Sequence, residues 1–171
     1  MIIFLIGFMG SGKTTVGKKL ANRLQYAFID LDQFIQEKEG RTVEELFDNE
    51  GEAFFRTLES KYLRSLPTGP SGLVVATGGG LPCHDKNMAY MNQNGLTLYL
   101  QLKPGQLYHR LKHAKYRRPL LKEKNDEEVM RYIKQKLEER TPYYDQAQLT
   151  YNASNLKIPE LIERIKEFLG D

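Results

Sequence analysis

This chain has almost no cysteine. Cys83 is its only one, which excludes an intrachain disulfide framework and fits a reducing, cytoplasmic compartment. No activating motif surrounds Cys83, so it reads as an inert loop or helix-start residue. Long hydrophobic runs are missing too. The stretch from Met1 to Gly7 is apolar, but it is too short for the apolar region of a secretion signal. It falls further short of the roughly 18 residues expected of a membrane span. Charge of one sign is not in excess either. There are 25 basic and 22 acidic residues, a net charge of +3, which calls for neither a nucleic-acid nor a membrane partner. His84, His109 and His113 show no metal-ligand spacing, which argues against a zinc site.

What remains is an ordinary globular composition in 171 residues, the size of one domain with a real core. Ile2 to Ile6 is a continuous apolar run, as in a strand buried on both faces of a parallel sheet. Val16, Leu20 and Leu24 recur at helical spacing. Ala27 to Ile29 reads as a second strand. Helices are expected at 33–38, 42–47 and 52–66, and a Pro/Gly/Ser loop at 67–72. Leu73 to Ala76 is a third strand, followed by a helix at 84–93 and a strand at 96–102. Pro104 opens a helix that ends near Lys112. Asn125 and Glu128 resemble a capping box at the start of a long helix with an inward face of Val129, Ile133 and Leu137. A last strand at 149–152 and a last helix at 159–169 complete the chain. Strands alternating with helices imply a three-layer α/β/α fold around a five-stranded parallel sheet.

The loop from Gly7 to Thr14 matches G-x-x-x-x-G-K-[ST], between an expected strand and an expected helix. Its glycines let successive backbone amides point at phosphate oxygens. Lys13 supplies a charge for the β- and γ-phosphates, the Thr14 hydroxyl can ligate Mg²⁺, and the helix that follows adds its positive end. Nucleotide binding follows. Many such proteins hold the metal with an aspartate at a strand end, yet the third strand runs into Thr77-Gly78-Gly79-Gly80. The acids stand after the second strand, at Asp30 and Asp32. Two apart on an extended chain, they face one side, toward the carboxyl end of the sheet. The bland alternative is that one of them only caps a helix.

These features together resemble the shikimate kinase family. The likeness is carried by Phe28-Ile-Asp30-Leu-Asp32, by Gly40 to Phe47, by Gly51-Glu-Ala-Phe-Phe-Arg56 with Glu59, by Gly78 to Gly80, by Arg118-Pro-Leu-Leu121 and by Arg140. The P-loop alone marks a vast superfamily, whereas this combination is specific. The resemblance implies transfer of the γ-phosphoryl of ATP to the 3-hydroxyl of shikimate, on the route to chorismate, by a monomer. It implies a phosphate cradle of Gly10, Ser11, Gly12, Lys13, Thr14 and Thr15, and Mg²⁺ held by Thr14 and, through water, by Asp30. Asp32 would bind a ring hydroxyl and take its proton. Arg56 and Arg140 would grip the carboxylate, Gly78, Gly79 and Gly80 would approach the substrate, and Arg118 would close from a mobile lid at about 112–125. The substrate-binding helices would span about 33–62.

Physical readings stand beside each role. Arginine meets a carboxylate through two parallel hydrogen bonds. Arg140 follows the inward face of its helix and needs an anion there, which an internal acid can also provide. Arg56 has Glu59 one turn away. Three glycines can be a mere flexible turn, or let a ligand come against bare backbone. Arg110 or Lys112 can be a second cation on the nucleotide side, and the adenine loop falls near 152–157. Competing readings are a gluconate-kinase-like enzyme and a nucleotide-binding module without catalysis.

Overall fold

In the computed structural model the described residues are 1–67, 72–113 and 124–170. Five strands form one parallel sheet: β1 (Ile2–Ile6), β2 (Ala27–Asp30), β3 (Leu73–Ala76), β4 (Leu96–Gln101) and β5 (Leu149–Asn152). Their order is β2-β3-β1-β4-β5. The three central strands are buried almost throughout, while β2 and β5 at the edges are only partly covered. That pattern requires cover on both faces of the centre, and eight helices supply it in a three-layer α/β/α arrangement: α1 (Lys13–Leu24), α2 (Leu31–Glu39), α3 (Val43–Glu50), α4 (Glu52–Arg64), α5 (Asn87–Asn94), α6 (Pro104–Lys112), α7 (Asp126–Tyr144) and α8 (Ile158–Leu169). None of these helices is long and apolar enough to cross a membrane.

Register positions the site. Leu5 pairs with Ala76, and Ala76 with Asp30. The ends of β1, β3 and β2 therefore open side by side at the carboxyl edge, where α/β folds bind ligands. Thr77 ties two of these ends together, its N–H and its hydroxyl both donating to the Leu5 carbonyl at 3.1 and 3.0 Å.

Several element boundaries differ from expectation. α3 runs on to Glu50 rather than ending at Phe47, and α4 ends at Arg64 rather than Leu66. Two further differences bear on the site. α2 begins at Leu31 rather than near Gln33, because Asp30 ends its strand and caps the helix with no residue between. The helix expected from His84 starts at Asn87, after a 3₁₀ turn at Leu81–Cys83. Asp85 and Lys86 intervene with φ of 47° and 55°, a left-handed step that stops the helix from starting sooner. The capping box of α7 forms as expected. The Asn125 side chain accepts from the Glu128 N–H at 2.9 Å, and the Glu128 carboxylate accepts from the Asn125 N–H at 2.8 Å.

Candidate active site

The donor half is built from backbone. Gly7, Gly10 and Gly12 have φ of 140°, 79° and 97°, values that side-chain-bearing residues avoid. The chain can thus turn from β1 into α1 within the loop. The buried Lys13 ammonium donates to the Gly7 and Phe8 carbonyls at 2.7 and 2.9 Å, so it is held over the loop it serves. The Thr14 hydroxyl donates to Asp30 Oδ2 at 2.6 Å. Asp30 also caps α2, its Oδ1 accepting from the Gln33 N–H at 3.5 Å. Capping and a place beside Thr14 therefore coexist at Asp30.

Asp32 does not sit two residues along a strand from Asp30. It lies in the first turn of α2, and the helical turn, not an extended chain, brings both acids to one cavity. That cavity measures about 280 Å³. Lys13, Thr14 and Thr15 line one side of it, Asp30 and Asp32 another, and Gly78 and Gly79 a third. Hydroxyl and carboxylate oxygens bonded to each other at a phosphate loop suit a hard cation such as Mg²⁺, which takes one or two carboxylates together with substrate phosphates.

A second cavity, of about 530 Å³, lies behind the loop between Ser11, Thr15 and the segment Ala153 to Leu156, within the stretch expected to hold adenine. Arg110 bridges its walls, donating to the Ser11 and Ala153 carbonyls at 3.0 and 2.9 Å. Lys112 instead pairs with Asp126 at 2.6 Å. Of the two candidate cations, Arg110 is the one that lines both cavities.

The acceptor half is assembled from distant segments. Among the described residues, no protein group accepts from the N–H of Gly78, Gly79 or Gly80. A methyl group on Gly78 would overlap the Glu59 carboxylate. One on Gly80 would lie 2.6 Å from the Arg56 guanidinium, and one on Gly79 would lie 3.2 Å from Arg140 Nη1. Close approach, rather than flexibility alone, accounts for these glycines.

Arg56 on α4 pairs with Glu59 at 2.6 Å and with Glu52 at 2.9 Å. The bland partner foreseen for Arg56 is therefore real, and it fixes the guanidinium beside Gly80. Glu59 is buried, and its second oxygen has no hydrogen-bond partner among the described residues. Burial raises its carboxyl to about 7; the charge of Asp32 adds to this, while Arg56 and Arg140 oppose it. Arg140 on α7 lies over the Phe8 ring, 5.4 Å from its centroid. Among the described residues no salt bridge includes it, so the internal ion pair considered as its alternative role is absent there. Two guanidinium groups thus stand against the glycine loop, Arg56 at Gly80 and Arg140 at Gly79.

Sequence reasoning treated Glu59 only as a partner for Arg56, although its three-residue spacing from Arg56 placed it on the same face. Arg118 and most of the expected lid lie outside the described residues.

The sheet order and the strand–loop–helix phosphate cradle define the chain as a P-loop kinase. The family model for shikimate kinase matches residues 9–170, and the chain belongs to the shikimate kinase family. It is 46% identical over 171 residues to a shikimate kinase of Bacteroides thetaiotaomicron, covering 98% of this chain and 97% of that one. The crystal structure of shikimate kinase from that organism superposes with a TM-score of 0.92 at 44% identity, covering 100% and 99% of the two chains. Shikimate kinase from Acinetobacter baumannii, solved in complex with shikimate, gives a TM-score of 0.83 at 36% identity and covers 99% and 93%.

Proposed function

We propose that this chain transfers the γ-phosphoryl group of ATP to the 3-hydroxyl of shikimate, giving shikimate 3-phosphate and ADP. One observation carries the reading. The phosphate cradle, Asp32 and the glycine loop line one cavity, and a pair of arginines lies against the same loop. Arg56 and Arg140 clamp the carboxylate of the acceptor, which sets the orientation of its ring. The N–H groups of Gly78 to Gly80 approach acceptor and phosphate. The 3-hydroxyl oxygen bonds to the γ-phosphorus as the bond to the ADP oxygen breaks, and the hydroxyl proton passes to the Asp32 carboxylate. Lys13 and the amides from Gly10 through Ser11, Gly12 and Thr14 to Thr15 hold the charge that develops on the phosphates. Thr14 and Asp30 would hold Mg²⁺, which would supply positive charge to offset that of the phosphates. Arg118, on the strength of its Arg-Pro-Leu-Leu motif, closes onto the transferring phosphate.

The family likeness supports a monomer, and the lone half-buried Cys83 fits a cytoplasmic setting. The test is a coupled ADP-release assay with a panel of acceptors. Turnover with shikimate and none with gluconate is expected. Turnover with gluconate alone would replace the reading, and none with any acceptor would favour a non-catalytic module.

A further inference from the structure

The acceptor half contains a buried hydroxyl that the chemistry above does not use. α7 continues through Pro142 to Tyr144, one turn past Arg140. Tyr144 is fully buried, and its ring packs on Tyr99 at 5.0 Å between centroids. Its hydroxyl donates to the Gly79 carbonyl at 2.6 Å. Arg140 stands near enough that its charge opposes the upward pull of burial on the phenol. Tyr144 therefore ties α7, the helix that carries Arg140, to the glycine loop.

The peptide unit gives this contact a direction. In a planar trans peptide the carbonyl of Gly79 and the N–H of Gly80 point to opposite edges. Fixing the Gly79 oxygen against Tyr144 therefore aims the Gly80 N–H away from Tyr144. That N–H has no protein acceptor among the described residues. Gly80 also lies against Arg56, so this donor belongs to the part of the loop that the first guanidinium borders. Stacking on Tyr99 leaves the phenol little freedom to release the Gly79 carbonyl.

We infer that Tyr144 is a positioning residue for the acceptor. Through the Gly79 carbonyl it orients the Gly80 N–H, and it ties the helix that carries Arg140 to the same loop, so that backbone donor and carboxylate clamp are presented together. The inference rests on the acceptor reading above. Among the described residues the hydrogen bond and the ring contact of Tyr144 lie outside the phosphate loop, and this makes its role separable from a general loss of stability.

Tyr144→Phe removes one hydroxyl and keeps the ring stack. Shikimate affinity, measured by calorimetry without nucleotide, should fall about tenfold, the scale of one buried hydrogen bond. ADP affinity should stay within about twofold. The KM for shikimate should rise more than kcat falls. Tyr99→Phe, which deletes the neighbouring hydroxyl, should bind shikimate like the wild type. A readout on the wild type needs no variant: the Gly80 amide resonance should move on shikimate addition more than those of Gly72 and Gly95. Unchanged shikimate affinity in Tyr144→Phe, equal losses for shikimate and ADP, or a silent Gly80 amide would each overturn the role. If the wild type does not turn over shikimate at all, the acceptor reading fails first. If it does and Tyr144→Phe behaves like it, only the positioning role fails.

Discussion

The two halves of the site are built by opposite means. The donor half is contiguous: within one strand–loop–helix unit it offers amides, one ammonium and one hydroxyl. The acceptor half draws on α4, α7 and the loop after β3, and its side chains are charged and largely buried. Arg56 is held by Glu59 and Glu52, and Glu59 itself sits at the edge of ionisation. Backbone donors need no counter-charge, and the one buried ammonium of the donor half, Lys13, is held by the Gly7 and Phe8 carbonyls of its own loop. Buried charges do need partners, so the acceptor half comes with its own acids, and those acids must not cancel the grip on a carboxylate. Arg140 has no salt bridge to an acid among the described residues and lies over an aromatic ring instead.

If the halves are separable, each can be disabled alone. Removing the metal with EDTA should abolish turnover, and Mg²⁺ should restore it, while calorimetric shikimate binding survives. Full turnover in metal-free buffer would contradict the assignment of Thr14 and Asp30. Asp32→Asn keeps shape and loses basicity, so kcat should fall by about 10²-fold or more with ADP affinity unchanged. Wild-type turnover would leave Asp32 a purely structural residue of the first helical turn. Arg140→Ala should weaken shikimate binding by about tenfold or more, since a charged partner is lost, and leave ADP affinity untouched. A parallel fall in both affinities would show that the halves are not separable.

The smallest effect concerns pH and stability. Glu59 has its carboxyl raised to about 7 in the fold, against about 4.5 when unfolded. Between those values the native state holds a proton that the unfolded state has released. Its contribution to stability is therefore fully present below the unfolded value and is lost as pH rises through about 7. Glu59→Gln should flatten that part of the stability–pH curve in urea titrations. An unchanged slope would mean that Arg56 keeps Glu59 ionised throughout.

The same contrast explains what could be read from the sequence. Sheet, helices and phosphate loop follow from local signals: apolar runs, helical spacing, and glycines at required positions. Asp30 and Asp32 were found, but on a mistaken geometry, because residue spacing does not reveal that a helix starts at the strand's last residue. Arg56 and Arg140 were named from the family likeness and from helical faces. Their convergence on Gly80 and Gly79 is a tertiary fact that no window of sequence contains. Tyr144 had only a weak signal, an aromatic one turn after an inward arginine, because a phenol on an inward helical face reads as core. Arg110 could be separated from Lys112 only once Asp126 was seen to pair with the lysine.

The central claim is that a carboxylate-reading half and the phosphate cradle meet at the glycine loop. A double-mutant cycle tests it most directly, with kcat/KM measured for shikimate and its methyl ester, in wild type and Arg140→Ala. The ester should be a poor substrate for the wild type and lose much less, relative to shikimate, in the variant, because both changes delete one contact. Additivity within about 0.5 kcal/mol would contradict the claim and leave Arg56 as the sole anchor.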